Sequence, residues 1–316
     1  MLRNAQASLA RLRRYTIPMP LRSVAVIVFA LLLYFAAQAQ TDRVRELAPG
    51  VFFWQGDPDR REPANCTWVV FKDYVLVIDA NFPWGAREIL PRIKASTNKP
   101  IRFVFDTHYH GDHTYGNSIF VDVGASIVCS EACAGELRTK GAKGWTNWKD
   151  STHPLEGARL EPATLTFTDG MVFDDGTQRV EMTRVGPGHS KGDAVAFLPK
   201  QKILVTGDLC VTWSAGNNMA DVDADHDNWV RALDRMAAWD VKTVIPGHGP
   251  LAAATALHAQ REYLADMLNQ VRAGQRSGKS VDELARTIDL SKHGSLATNA
   301  VANAGSIRAV YKHLGS

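Results

Sequence analysis

The sequence predicts an α+β fold, a four-layer αβ/βα sandwich, and two observations lead to it. Short β-branched and aromatic runs cluster in two stretches of the chain, each followed by segments with apolar residues at helical spacing. Every polar motif rich in His or Asp comes directly after an apolar run. Two sheets packed face to face with helices outside accommodate both patterns, and strand ends along one edge can then converge on one site.

The elements follow in order. Val51–Trp54, Cys66–Phe71 and Tyr74–Ile78 are strand-like runs bounded by Gly, Pro, Asp and Asn, with a charged loop, 56–64, between the first two. Ile89, Leu90 and Ile93 recur at helical spacing, which predicts a helix over 85–95. Ile101–Phe105 and Ala125–Cys129 read as strands, and Ser130 caps a helix to Lys140. A loop is expected from Gly141, in which Trp145 and Trp148 offer an apolar wall or ordinary packing. Strands resume at Leu165–Phe167, Val172–Phe173, Arg179–Val185, Ala194–Leu198 and Ile203–Val205, the last two joined at Pro199-Lys200. Asp225 or Asp227 caps a helix to Trp239, Val241–Ile245 is a strand, and Leu251 to Arg272 is helical. A Ser280-x-x-Glu283 capping box opens a final helical segment.

The first 39 residues read as a secretory signal. Arg3, Arg11, Arg13, Arg14 and Arg22 precede the apolar stretch from Val24 to Ala37, and Ala37-Gln38-Ala39 places small residues where a signal peptidase cuts. The apolar stretch is shorter than the roughly 20 residues of a spanning helix, so an uncleaved membrane anchor is the second reading. The expected division is a signal peptide at 1–39, one domain at 40–277 and a short C-terminal helical extension at 278–316, with a periplasmic or secreted location. Removing the five arginines of the leader takes the formal net charge from +3 to −2. No basic patch survives to recruit nucleic acid. The expected partner is a small-molecule substrate, with contact to a membrane only if the leader stays attached. Of the four cysteines, Cys129 and Cys133 sit awkwardly for a bridge, and buried free thiols are expected throughout. Cys210, two residues past Asp208, is a candidate spare metal ligand.

The chemistry is carried by three His motifs and one Asp. They are Thr107-His108-Tyr109-His110-Gly111-Asp112-His113, Gly186-Pro187-Gly188-His189-Ser190, Pro246-Gly247-His248-Gly249 and Thr206-Gly207-Asp208. Imidazole and carboxylate suit a borderline ion such as zinc, and seven such groups serve two ions better than one. His108 and His110, two apart on extended backbone, point the same way and can hold one ion. Gly111 lets the chain turn so that Asp112 and His113 face a second. Asp221, Asp223, Asp225 and Asp227 alternate like a calcium loop. His226 and Ala232 stand where that loop needs Gly and Glu, so the run reads as a solvated loop and helix cap. The remaining histidines, 153, 226, 258, 293 and 313, read as structural or exposed.

On these motifs the chain resembles the metallo-β-lactamase superfamily of metallohydrolases, over about Thr41 to Arg272. The resemblance implies a metallo-β-lactamase-like fold with two Zn2+ ions, iron or manganese ranking after zinc. His108, His110 and His189 would hold the first ion, and Asp112, His113 and His248 the second. Asp208 would bridge them, and Asp79 would support the ligands from behind. The family usually has Thr-Gly after that Asp, where this chain has Ala80-Asn81. The zinc β-lactamases proper usually carry Cys or Ser at the place of Asp208, so the set is nearer the glyoxalase II-like and quinoprotein-associated branches. Tyr263, Tyr311, Lys292 and Lys312 do not match the glutathione-binding region of glyoxalase II. The implied function is an exported dinuclear zinc hydrolase. A metal-bridging hydroxide, oriented by Asp112 as the catalytic acid–base, would cleave a carboxyl ester, lactone, thioester or lactam. The alternatives are a zinc β-lactamase proper and an iron-dependent oxidoreductase on the same fold.

Overall fold

The computed structural model describes residues 43–60, 63–149, 155, 157–213 and 217–315. The expected signal peptide, His153 and part of the loop after Gly141 lie outside the described residues.

Seven strands form the first sheet in sequence order: β1 (Val44–Ala48), β2 (Val51–Trp54), β3 (Cys66–Val70), β4 (Val75–Ile78), β5 (Ile101–Phe105), β6 (Ser126–Ser130) and β7 (Leu165–Phe167). The first four pair antiparallel, and β4 to β7 are parallel. The parallel crossovers carry α1 (Pro83–Ser96), the single turn α2 (Gly111–Thr114), α3 (Asn117–Val121), α4 (Glu131–Glu136) and α5 (Ala142–Lys149). Six strands form the second sheet: β8 (Gly170–Asp174), β9 (Arg179–Arg184), β10 (Ala194–Leu198), β11 (Ile203–Val205), β12 (Thr243–Ile245) and β13 (Ala252–Ala253). Only β11 and β12 are parallel there, joined through α6 (His226–Ala237). Then come α7 (Thr255–Arg276), α8 (Val281–Thr287) and α9 (Ala300–Leu314).

Strand alternation divides the apolar residues among three interfaces. Leu76 and Ile78 of β4, Phe105 of β5, Ala196 and Leu198 of β10 and Ile203 of β11 meet between the sheets. Val75, Val77 and Val104 face the other way, onto Ile89 and Ile93 of α1 and Phe120 of α3. Val195, Leu204 and Val244 leave the second sheet toward Trp229, Leu233 and Met236 of α6 and Leu264 and Met267 of α7. The result is four layers, α/β/β/α.

Three local expectations need correction. Residues 142–149 are helical rather than a loop, entered through a π-helical turn at Leu137–Gly141. Trp145 packs edge-on against Tyr115 there, with ring centroids 5.1 Å apart. β1 and β13 were not anticipated; both are short edge strands with weak apolar content. Cap expectations hold: Ser130, Asp225 and Ser280 each accept a hydrogen bond from the backbone N–H three residues on. All four cysteines are buried and free. No helix among the described residues is long and apolar enough to cross a membrane.

The C-terminal helices share the core beneath the second sheet. Leu284 of α8 and Ile307 and Val310 of α9 are buried in the same cluster as Trp229 and Leu264. Ile307→Ala is therefore expected to cost about 2–5 kcal/mol, seen as a lower urea midpoint at unchanged m-value. A cost under about 1 kcal/mol would show that α9 is not part of this core.

Candidate metal centre

The four motif segments leave the ends of β5, β9, β11 and β12 and meet at one edge of the sandwich. After β5 the chain bends at residues 107–109, is extended at His110 and then turns at Gly111 into α2. His108, His110 and His189 gather with Asp208 on one side, and Asp112, His113 and His248 on the other. His110 Nδ1 lies 3.1 Å from His108 Nε2 and 3.0 Å from His189 Nε2. Asp208 sits between the two groups. Its Oδ2 is 3.5 Å from His189 Nε2 and 4.0 Å from His108 Nε2. Its Oδ1 is 3.2 Å from His248 Nε2 and 3.3 Å from His113 Nε2. His248 Nε2 is also 3.3 Å from Asp112 Oδ2. All seven side chains predicted from the motifs are brought together.

The outward ring nitrogens explain why the inward ones converge. His113 Nδ1 lies 2.9 Å from Asp79 Oδ2, and His248 Nδ1 lies 2.8 Å from the Pro63 carbonyl. His110 Nε2 faces Asp221 Oδ2 at 3.3 Å. Thr107 Oγ1 gives its proton to Asp79 Oδ2 at 3.0 Å and accepts from His108 Nδ1 at 3.1 Å. Carboxylates and carbonyls only accept, so each of these outer nitrogens carries the ring proton and each inner nitrogen presents a lone pair. Lone pairs then face lone pairs and carboxylate oxygens. His113 Nε2 and Asp208 Oδ1 are both buried, and neither has a hydrogen bond of acceptable geometry. Such a cavity of donors fits cations.

The electrostatics agree. Burial draws His108 well below the ordinary imidazole range and takes His189 down to about 3, so both are neutral ligands at pH 7. Burial also opposes charge on His113 and His248. There, however, the carboxylates win: Asp79 and Asp208 carry His113 well up, and Asp208 and Asp112 lift His248 to about 10. With no metal bound, a proton on these rings stands in for the ion. Asp112 is held down at about 2 against its burial, chiefly by His113 and His248.

Backbone geometry makes the close approach feasible. A Cβ on Gly247 would lie 2.0 Å from Asp208 Oδ1, and Gly207, at φ 51°, packs its Cα against Thr107. Asp79 and Asn81 both adopt positive φ, 61° and 59°. Asn81 stands where the family usually has Gly, and Asn is among the few residues that visit this region readily. Its amide donates to the Ala64 carbonyl and its side-chain oxygen accepts from Phe82 N, which holds the turn behind Asp79.

Four supporting residues escaped the sequence reading. Asp221 was expected in a solvated loop, but its carboxylate is 1% exposed and receives bonds from Tyr109 Oη, His110 and Lys140. Those partners hold it ionised despite burial. Lys140 Nζ lies 2.6, 2.7 and 3.1 Å from Glu136, Asp221 and Asp223, so an ammonium fills this acid cluster. Glu136 in turn accepts from the backbone N–H groups of Lys191 and Gly192, beside His189. Asn65 donates to the Pro246 and Gly249 carbonyls and fixes the His248 turn. Only Asp221 stood in a motif, and nothing local separates it from Asp223, whose side chain is 42% exposed. Cys210 is corrected as a spare ligand: its thiol points to the Ala256 carbonyl, in the core beneath the second sheet.

The metallo-beta-lactamase superfamily profile matches residues 59–248, well over half of the chain. The chain belongs to the metallo-beta-lactamase superfamily. It is 23% identical over 221 residues to a metallo-beta-lactamase type 2 of Elizabethkingia meningoseptica, covering 68% of this chain and 78% of that protein. It is 23% identical over 249 residues to a linear primary-alkylsulfatase of Pseudomonas sp. (strain ATCC 19151), covering 66% of this chain. The aligned part is 46% of the alkylsulfatase, about half its length. The fold is shared with a metallo-beta-lactamase from Pontibacter korlensis at a TM-score of 0.59 and 24% identity, over 70% of this chain and 98% of that one. This chain is thus a member of the superfamily with a His/Asp cluster that could hold metal.

Two predictions follow from the geometry. Gly247→Ala pushes Asp208 out of its place; zinc retained on dialysis should fall by more than about tenfold, with the fold intact by circular dichroism. Unchanged zinc content would remove Asp208 from the site. The second concerns pH in the metal-free protein. The folded pKa of His248, about 10, exceeds its unfolded value near 6.5, so its contribution is complete below about pH 6.5 and is lost as pH rises through 10. Melts in chelator should show the melting temperature falling over that window, and His248→Gln should flatten the fall. An equally steep fall in the variant would assign it elsewhere.

Proposed function

We propose that this chain is an exported dinuclear zinc hydrolase that cleaves a carboxyl ester, lactone, thioester or lactam. The observation that supports it most is Asp208, whose two oxygens face separate triads of ligands. His108, His110 and His189 would hold one ion, Asp112, His113 and His248 the other, and Asp208 would touch both. Bound there, a zinc pair supplies Lewis acidity to a scissile carbonyl and makes a shared water acidic enough to lose its proton near neutral pH.

The remaining work falls to the protein. Asp112 lines the cleft beside the cluster, with 21% of its side chain exposed. Its carboxylate would orient the attacking water and accept the proton it loses. Trp213 stacks on His248, with ring centroids 4.3 Å apart and planes 15° apart, and excludes solvent from that wall. The described residues that line this cleft of about 140 Å³ include no Ser or Cys, which accords with attack by water. Export rests on the leader at 1–39, and a periplasmic protein beginning at Gln40 is the expected product.

One observation favours a second reading. The alkylsulfatase match covers 66% of this chain, nearly as much as the 68% of the lactamase match. Sulfate esters therefore join the substrates to be tested.

The test combines metal analysis with turnover of nitrocefin, a lactone, aryl esters, a thioester and an alkyl sulfate. Wild-type protein should carry zinc and turn over at least one acyl substrate. His110→Ala should lose zinc and turnover together, by more than about 100-fold, since groups that only support ligands already cost 10–100-fold. Turnover at the original rate without zinc would contradict the mechanism. Iron with oxygen consumption would replace the hydrolase by the oxidoreductase.

A further inference from the structure

An ammonium sits behind the first triad. Lys140 Nζ lies 2.6 Å from Glu136 Oε1, 2.7 Å from Asp221 Oδ1 and 3.1 Å from Asp223 Oδ2. It also stands 4.5 Å from the ring centroid of Tyr109, the residue between His108 and His110. An ammonium has three N–H donors and no acceptor, and here three carboxylates meet it. Glu136 and Asp221 are buried, with side chains 4% and 1% exposed. One oxygen of each of the three acids lies within 4.8 Å of the others, close enough for strong repulsion without a cation among them.

Each buried acid has a second task, and each task ends at a ligand of the first triad. Glu136 accepts from Lys191 N at 3.2 Å and from Gly192 N at 2.8 Å. Those bonds, with Ser130 Oγ donating to the Gly192 carbonyl at 2.7 Å, dock the loop of His189 on α4. The approach is close: a Cβ on Gly192 would lie 2.2 Å from Cys133 N. Asp221 divides its oxygens. Its Oδ1 accepts from Lys140 and from the Asp223 N–H, while Oδ2 accepts from Tyr109 Oη at 2.5 Å and faces His110 Nε2 at 3.3 Å. Asp221 lies between the 3₁₀ turn at Gly207–Leu209 and α6, where no strand or helix among the described residues holds it. Its position therefore depends on these contacts. The second triad leans on other groups, Asp79, the Pro63 carbonyl and Asn65, and Lys140 pairs with none of them.

We propose that Lys140 is a positioning residue for the first ion. Its charge joins Asp221, and with it His110, to the Glu136 carboxylate that docks the His189 loop. Two of the three imidazoles of the first triad are aimed by one cation that touches neither. Removing one partner of a buried ion pair leaves the other charge uncompensated. Without the ammonium, Asp221 and Glu136 repel, His110 and His189 lose their common anchor, and Asp112, His113 and His248 keep theirs. The inference rests on the reading of the cluster as a two-ion site. It makes the two ions unequal: a lysine outside the ligand set governs the first and not the second.

The test is a competitive zinc titration of the metal-free, full-length protein against a chromophoric chelator. Wild type is compared with Lys140→Met and with Lys140→Met/Asp223→Asn. Met matches Lys in helix propensity and nearly in length, so circular dichroism should not change. Wild type should bind zinc in two steps, and His189→Ala and His248→Ala assign them, each weakening the step of its own triad. Lys140→Met should weaken the first-triad step by about 10–100-fold, the usual cost of losing a group that supports a ligand, and leave the other within about threefold. Asp223 is 42% exposed, and removing its charge relieves the repulsion that the lost ammonium leaves behind. The double variant should therefore recover about three- to tenfold. A role in packing alone would not respond to Asp223. An unchanged first step, an equal loss on both steps, or no recovery in the double variant overturns the proposal. Turnover of p-nitrophenyl acetate and the other acyl substrates is followed on the same samples. If the titrations behave as expected and no acyl substrate is turned over, Lys140 keeps its role and the hydrolase reading falls. If substrate is turned over and Lys140→Met titrates like wild type, the reverse holds. Wild type that binds no zinc overturns both.

Discussion

The structure depends on one electrostatic constraint: several imidazole lone pairs and two carboxylates are aimed at each other inside a buried edge of the sandwich. Left alone, such an arrangement repels, and desolvation removes the water that would relieve it. It persists because the outer nitrogens are committed. Asp79, Asp221 and the Pro63 carbonyl each accept a hydrogen bond from one ring and so fix which nitrogen faces inward. The interior is arranged for positive charge, and the neighbouring carboxylates raise His113 and His248 toward the protonated form.

The fold exists around that constraint in a literal sense. Parallel β4, β5 and β6 on one sheet and parallel β11 and β12 on the other send their C-terminal ends to the same edge. Each ligand segment is a short loop after a buried strand, so its backbone is pinned at one side and free to turn at the other. The second layer of contacts comes from far away in sequence: Glu136 and Lys140 on the α4 side reach the His189 loop and Asp221 at once. The ligand loops are therefore tied to one another as well as to their own strands.

The ligands were legible in the sequence because each carries a local signature. His108 and His110 stand in one dense His/Asp motif just after β5, though residues 107–109 bend and extended-chain parity is not what aligns them; His189 and His248 stand in glycine-rich turns. The four layers were legible from the order of elements, two runs of strands each with helices to cover one outer face; the wholly apolar β4 and β10 show no alternation, yet their successive residues enter different cores. What was not legible is what distance in the chain hides. Asp221 differs from Asp223 only in facing Tyr109, 112 residues earlier. The 142–149 helix carries Gly144 among polar residues and has no apolar stripe to announce it; Trp145 settles onto Tyr115 instead. Cys210 had the right strand parity for a ligand, yet its backbone has left the strand through a short 3₁₀ turn that reverses its direction.

The most direct test of the central claim is a crystal structure of the zinc-loaded protein with anomalous scattering recorded above and below the zinc edge. The account predicts two zinc peaks, one within ligand distance of His108, His110 and His189 and one of Asp112, His113 and His248, with an oxygen of Asp208 on each. A single peak, or two with Asp208 turned away from either, would contradict it.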